Sequence, residues 1–426
     1  MCTQAFIRTA FIGFSLCLFV NAPLQAQALP DNAQSTGKLS TTGVAELDTY
    51  FEEFVAAQKI PGVTYAIAHH GKIEVMRSIG YQDIENQTPV TDSTIYRIAS
   101  MTKIVTSVAV LQLIESGKIA LDDPISRYIP ELSNQRVLVD VEKPDGPTEP
   151  ATQAMTVKQL LMHTSGLGMT GGNGINGQYG RIMGNPSLSL QQQMEAIGEL
   201  PLLYQPGTQW RYSMATAALG YLVEVVSEMP FAIYLQQHIF APLGMRDTGF
   251  YVDASRQSRV ISVYRASEGN SIQRTRHGLM QRETVPPNAP NGAGGLFSTV
   301  PDYLRFAQML LNGGTLEGVE ILKAETVDLM TRDHLPDTIT LPERFGRNYG
   351  LAGYGFGLGV RVRTDVQRSN LPGNAGEYGW GGLFETYILI DPSASLVALY
   401  MTQVRPSSFY PLRRDFTRLV YGTLTE

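Results

Sequence analysis

Strand-like runs lie toward the two ends of this 426-residue chain, and helix-like runs fill most of the interval between them. Residues 63–68 and 72–78 are apolar and rich in β-branched side chains, and His69-His70-Gly71 between them reads as a turn, which makes a hairpin. Residues 355–362, 384–391 and 395–402 have the same character. Helical periodicity marks 45–58, 100–117, 156–163, 189–200, 214–227, 231–240, 301–312, 324–331 and 407–423. Strands so far apart share a core most economically as one antiparallel sheet built from both termini. The expected fold is α/β in the α+β sense, with helices flanking that sheet and a large, mostly helical insertion. A cleft between the two parts is the natural place for a site.

The first residues differ from the rest. Arg8 is followed by an apolar run from Thr9 to Val20 and then by small residues ending in Ala26-Gln27-Ala28. This is the n-region, h-region and A-x-A pattern of a cleavable signal peptide, expected over residues 1–28. The run is too short to span a bilayer comfortably, so no stable membrane insertion is expected after cleavage. Bulky Leu16 before Cys17 argues against a lipoprotein signal. Residues 29–44 read as a flexible polar leader and 45–424 as one catalytic domain. Its sheet part spans about 45–105 plus 315–424, and its helical part about 106–314. The expected location is secreted or periplasmic.

Both cysteines, Cys2 and Cys17, fall in the signal segment. The mature chain then holds no thiol, which excludes cysteine-nucleophile and zinc-thiolate chemistry. The net charge of −6 comes without a basic cluster, so a nucleic-acid partner is not expected. His69, His70, His238, His277 and His334 show no metal-ligand spacing, and neither a metal nor a cofactor is expected. His163 is read as capping the end of the 156–163 helix.

Ser100-Met101-Thr102-Lys103 is an S-x-x-K sequence at the start of an apolar helical run. Positions three apart share a helix face, so Lys103 reaches the Ser100 hydroxyl. A serine at a helix start also benefits from the positive helix end when charge develops on an attacked carbonyl oxygen. Burial lowers the pKa of a lysine and makes it a base. The motif alone is weak, since about one copy is expected by chance in a chain this long. A second copy, Ser35-Thr36-Gly37-Lys38, lies in the leader with a glycine between its ends and is assigned no role. The bland alternative is Ser100 as an N-cap and Lys103 as a solvated side chain.

Two more elements stand out. Tyr212-Ser213 follows Trp210 and precedes the 214–227 helix, where a tyrosine can lean into a cleft and relay a proton, or merely pack the helix end. Gly379-Trp380-Gly381-Gly382 precedes the 384–391 strand, where glycines admit another backbone or a ligand, or simply make a turn. A backbone N–H there can serve as an oxyanion donor opposite that of Ser100.

Taken together, the chain resembles the penicillin-binding, class C β-lactamase-like serine hydrolases. These carry S-x-x-K, then Y-x-N or Y-S-x, then K-T-G, H-x-G or W-G-G. Ser100/Lys103, Tyr212 and Trp380-Gly381-Gly382 occur in that order. Tyr96-Arg97-Ile98-Ala99, Gln159-Leu160-Leu161-Met162-His163-Thr164-Ser165-Gly166-Leu167, Pro242-Leu243-Gly244-Met245 and Gly294-Gly295-Leu296-Phe297-Ser298 look familial too. The resemblance implies a β-lactamase/transpeptidase-like fold. It also implies a Ser100 acyl-enzyme, Lys103 and Tyr212 as the proton-transfer pair, and the N–H groups of Ser100 and Leu383 around the oxyanion.

Met214 stands where Y-x-N enzymes have asparagine, and Trp380 where K-T-G enzymes have lysine. Losing an amide and a cation weakens binding of anionic β-lactams and peptide C-termini, and a tryptophan makes the pocket rim apolar. This pairing of Y-S-x with W-G-G resembles family VIII carboxylesterases. The chain has no G-x-S-x-G elbow, which leaves an α/β-hydrolase reading unsupported. The expected partner is a small-molecule ester, with β-lactams bound weakly. The rivals are a β-lactamase, D,D-peptidase or acyltransferase using the same centre, and a non-catalytic cell-wall-binding module. Residues 145–150 and 169–179 are read as loops, and the irregular 169–186 and 265–292 segments as walls of the pocket.

Overall fold

The computed structural model describes residues 39–275, 284–341 and 352–424. The signal segment and the second S-x-x-K copy lie outside them, as do residues 29–38 of the leader. The described chain is organised on one eight-stranded antiparallel sheet. In chain order its strands are β1 (Gly62–His69), β2 (Lys72–Asp83), β3 (Thr88–Pro89), β4 (Tyr354–Phe356), β5 (Arg361–Arg363), β6 (Tyr378–Gly381), β7 (Thr386–Asp391) and β8 (Leu396–Met401). Across the sheet the order is β4-β5-β6-β7-β8-β1-β2-β3, so the N-terminal hairpin docks beside the last strand. The register runs from Thr64 opposite Met401 to His69 opposite Leu396.

Alternation along the strands supplies two cores. Val397, Leu399 and Met401 face one side with Ala66, Ala68, Ile388 and Ile390. Ala398 and Tyr400 face the other side with Tyr65, Ile67, Tyr387 and Leu389. Both faces are covered, which is why these strands read as unbroken apolar runs.

The second face is covered by α1 (Thr41–Ala56) and α5 (Leu412–Thr423), the first and last described helices. Phe51, Tyr65, Tyr400 and Phe416 interlock there, with Phe416 edge-on to Tyr400 at 4.9 Å between ring centres. On the first face α4 (Val300–Leu311) packs on β8 and β1, and α2 (Thr102–Glu115) shares that core and packs in turn on α3 (Ala215–Ser227). Helix α2 is buried almost all round, as expected for a helix with apolar residues on every face. Among the described residues no single helix is long and apolar enough to cross a membrane.

Several boundaries differ from the sequence expectation, each for a local reason. Helix α1 starts at Thr41, because Ser40 caps it through the Gly43 N–H at 3.2 Å and donates its own N–H to the Thr423 carbonyl. Residues 41–44 are therefore helix rather than leader. The expected strand 355–362 is two strands, β4 and β5, because Gly359 turns the chain at φ +92°. Gly379 to Gly381, expected to precede a strand, belong to β6 itself. Residues Gly174–Met183, expected in a loop, form a helix, and Thr148–Pro150 pairs with Arg136–Leu138.

Helix α4, assigned by sequence to the helical part, packs on β1 and β8 of the sheet. The first part of the 265–292 segment, expected to be irregular, is the hairpin Tyr264–Ser267/Asn270–Arg274, which joins Val404–Arg405, while 276–283, with His277, lies outside the described residues. Periodicity shows that an element has an apolar face but not which surface buries it.

Phe416 locks α5 to the sheet with no exposed surface. Phe416→Ala is expected to cost about 3–5 kcal/mol of stability, read by urea denaturation.

Candidate active site

Ser100 sits in a tight place. The Ile98 N–H is held by the Leu296 carbonyl at 3.0 Å, and Ala99 adopts φ +45°. That left-handed geometry costs a non-glycine residue roughly 1–2 kcal/mol. It is held by packing of Ala99 against Val263 and Phe384. Ser100 then lies in a 3-10 turn, Ala99–Met101, one step before α2 rather than at the first residue of the α-helix. Its N–H has no acceptor among the described residues. The turn thus presents a free backbone donor and the hydroxyl together at the positive end of α2.

Lys103 is one turn on, with its side chain buried. Its Nζ lies 3.4 Å from Ser100 Oγ and donates to the Ala293 carbonyl at 2.5 Å. That carbonyl belongs to a strap that runs along α2. Thr106 Oγ1 donates to the Gly292 carbonyl at 2.8 Å, and the Leu296 N–H donates to Thr102 Oγ1 at 3.1 Å. Asn291 closes the strap through the Ala293 N–H at 2.9 Å. Burial pushes the Lys103 ammonium down to about 7. The amine therefore titrates near neutrality, as a base must.

Tyr212 covers this amine: Lys103 Nζ is 4.6 Å from the centre of its ring. The Trp380 indole N–H donates to the Tyr212 hydroxyl oxygen at 3.2 Å. Trp380 is itself buried, so it braces Tyr212 from behind rather than forming an exposed rim as the sequence suggested. Met214 is half-buried just before α3, and its N–H is taken by the Gly168 carbonyl at 3.0 Å.

His163 closes its helix as expected from sequence, with its N–H on the Leu160 carbonyl at 3.3 Å and the Thr164 N–H on the Gln159 carbonyl at 2.9 Å, and its ring has a second task. Its backbone is left-handed at φ +59°, its ring is buried 4.7 Å from the Tyr212 ring, and its Nδ1 accepts the Ser213 N–H at 3.4 Å. Ser213 Oγ lies 3.3 Å from the same nitrogen and accepts the Ala215 N–H at 3.2 Å. Burial, reinforced by Lys103, holds the imidazole well below its ordinary pKa, so it is neutral. His163 thus clamps the Tyr212-Ser213 segment. Its place at the end of a helix was the only signal in the sequence, and it pointed to a cap.

The β6–β7 turn completes the arrangement. A Cβ on Gly382 would lie 2.4 Å from the Ile98 carbonyl oxygen, and one on Gly381 2.6 Å from Arg413 Cζ. Both glycines are there for close packing of protein on protein. The Gly382 N–H goes to the Thr386 carbonyl at 2.8 Å, and Thr386 Oγ1 donates to the Ile98 carbonyl at 3.2 Å. This fastens the turn two residues from Ser100. The Leu383 N–H has no acceptor among the described residues, and its side chain is partly exposed.

Ser100, Lys103, Tyr212, Trp380, Gly381 and Gly382 are thus linked by direct contacts or through Ile98. The sequence reading missed the Ala293 carbonyl, His163 as a clamp and Arg413. A backbone carbonyl leaves no signature in residue type. Among the described residues no three His, Cys, Asp or Glu side chains converge to hold a metal ion.

A family model described as Beta-lactamase matches residues 47–422. An uncharacterised protein of Mycobacterium tuberculosis is 39% identical over 360 residues, covering 83% of this chain and 88% of its own length. The esterase EstB of Burkholderia gladioli is 28% identical over 381 residues, 84% of this chain and 90% of its own. Among solved structures, EstCE1, described as a hydrolase with promiscuous acyltransferase activity, superposes with a TM-score of 0.75 at 25% identity. It covers 89% of this chain and 99% of its own.

Only the neutral amine of Lys103 can take a proton from Ser100. Its neutral fraction falls as pH drops through about 7, the value to which burial lowers it. The rate at which a neutral fluorophosphonate labels Ser100 is expected to fall about tenfold per pH unit below that midpoint and to level off above it. Stopped-time labelling from pH 5 to 9 measures this.

Proposed function

This chain belongs to the beta-lactamase family of serine hydrolases, and on that premise we propose that it is a secreted carboxylesterase acting through a Ser100 acyl-enzyme. The single observation that carries the reading is the group on Tyr212. An uncharged indole N–H, from Trp380, stands 3.2 Å from its hydroxyl oxygen. That centre suits a neutral acyl ester better than an anionic substrate, which needs a cation to balance its carboxylate. The names of EstB and EstCE1 support an ester substrate. The signal-like residues 1–28 support export.

In the proposed reaction neutral Lys103, with Tyr212 beside it, accepts the Ser100 proton as Oγ attacks the ester carbonyl. The carbonyl oxygen becomes an oxyanion between the N–H groups of Ser100 and Leu383. The C–O bond to the alcohol breaks, and Tyr212 passes it a proton that Lys103 replaces. Water then repeats the sequence on the acyl-Ser100 carbonyl, losing its proton to the same pair and releasing the acid. Preorganised donors of this kind are worth about 10²–10³ in rate each. An alcohol in place of water would give ester exchange instead, which the acyltransferase activity in the description of EstCE1 makes a second reading.

The test uses p-nitrophenyl butyrate beside a chromogenic cephalosporin. Ester turnover that Ser100→Ala lowers by about 10³-fold or more, with little cephalosporin opening, is the expected result. Fast cephalosporin opening with feeble ester turnover would put the protein among the β-lactamases. Added butanol that diverts acyl groups to butyl butyrate would support the transferase reading.

The Trp380 bond bears on proton delivery. An N–H aimed at the Tyr212 oxygen eases loss of the phenol proton, which matters when the leaving alcohol is a poor one. Trp380→Phe keeps a ring but removes the donor. It is expected to lower kcat/KM about tenfold to a hundredfold for ethyl butyrate. For the p-nitrophenyl ester, whose leaving group needs no proton, the change should stay within about twofold. Equal losses on both esters would reduce Trp380 to a packing role.

A further inference from the structure

Behind the β6–β7 turn lies an ion pair removed from water. Arg413 of α5 and Glu385 have side chains only 3% and 2% exposed, with Arg413 Nε 2.9 Å from Glu385 Oε1. Glu385 also accepts the Tyr400 hydroxyl at 2.9 Å and the Ser408 N–H. Burying two charges costs several kcal/mol per ion before their attraction offsets it. Apolar residues of like volume often serve stability as well, which raises the question of what this pair is for.

The guanidinium also reaches the β6–β7 turn, where its Nη2 lies 3.5 Å from the Thr386 carbonyl. Arg413 Nη2 donates to the Gly382 carbonyl at 2.6 Å, and Gly381 packs so tightly on Arg413 Cζ that a Cβ would come within 2.6 Å. The Gly382 carbonyl also takes the Glu385 N–H at 3.1 Å, closing the turn. In a trans peptide the C=O and the following N–H point in opposite directions. The N–H that opposes the Gly382 carbonyl is that of Leu383. With the carbonyl drawn toward Arg413, the N–H must face away from it. A charge-assisted bond on the oxygen side also pulls electron density from the amide and makes its N–H a stronger donor.

We propose that Arg413 is a positioning residue for the oxyanion: by holding the Gly382 carbonyl it aims and polarises the peptide whose N–H, at Leu383, receives the developing negative charge together with that of Ser100. The proposal rests on the reading of Leu383 as an oxyanion donor. It separates two jobs of the turn. Gly381 and Gly382 let the backbone into place, and the Arg413–Glu385 pair keeps its peptide from rotating.

The experiment compares wild type with R413Q/E385Q, which removes both charges together, and with R413M/E385L, an apolar replacement in case the first does not fold. Three readouts are taken on each folded variant: kcat and KM for p-nitrophenyl butyrate, the Ki of propylboronic acid, whose tetrahedral adduct with Ser100 places an oxygen on the oxyanion donors, and the melting temperature. The expected result is a loss of about tenfold to a hundredfold in kcat and in boronate affinity together, with KM within about twofold. A structural pair alone would move the melting temperature and leave the other readouts at wild-type values, and that result overturns the proposal. Leu383→Pro, which deletes the N–H itself, tells the two layers apart. Wild-type kcat and boronate affinity in L383P would remove Leu383 from the oxyanion site and the proposal with it. A loss in L383P without a loss in the charge-free pairs would remove only the role of Arg413.

Discussion

The antiparallel pairing of β1 with β8 is the contact on which the rest of the molecule depends. It joins the hairpin at the start of the described chain to the meander at its end, and through β7 and β6 it makes one continuous plate. Thr386 and Ile98 are 288 positions apart, yet they are bonded at 3.2 Å, because Thr386 begins a strand of that plate and the turn that holds Ser100 is packed against it. The turn that holds Ser100 leads out from one end of the chain and the turn at 381–383 from the other. Without the sheet between them nothing local would hold these two backbones in register. Clamping from behind comes from α1 and α5, the outermost helices, and α5 also carries the guanidinium that holds the Gly382 carbonyl.

On this plate the chain places groups that are costly to keep. Lys103 is buried against a carbonyl oxygen. Three non-glycine residues at the site, Ala99, His163 and Glu385, have φ between +45° and +65°. Strain of this kind collects where function over-determines geometry, and the surrounding core supports it. Among the groups beside Lys103 and Tyr212 are a backbone carbonyl, a neutral imidazole and two indoles. In such a setting desolvation is the main lever on the lysine, and that is what brings its amine into the range where a base is useful. The resulting centre is poor in charge, which sets it apart from relatives whose third motif brings a lysine.

Much of this was legible in the chain. The S-x-x-K spacing put Ser100 and Lys103 on one helix face, because three residues make nearly one turn. Unbroken apolar runs rich in β-branched residues announced the strands, and their placement at both ends implied a sheet made from both. Tyr212 and the glycines at 379–382 stood out because residue types with special conformational or proton-transfer properties sat at element boundaries. What stayed illegible were contacts with no residue-type signature: the Ala293 carbonyl on Lys103, and the strap from Asn291 to Leu296 along α2. Trp380 was visible but misread, and His163 was read for its cap and not for its ring. A ring at a helix end and an aromatic near a turn have common uses, and only the positions of their nitrogens show the ones adopted here.

The division follows from the range of the forces. Short-range rules, such as helical periodicity, turn chemistry and the reach of one side chain to another three residues on, are written in the sequence and determined the elements and the pairing of Ser100 with Lys103. Desolvation and long-range pairing depend on what arrives from elsewhere in the chain. The depth at which Lys103 is buried, the direction of the Leu383 N–H and the partner of each buried charge were decided only when strands from both ends closed one sheet. No local stretch carries the burial or the orientation that such closure imposes.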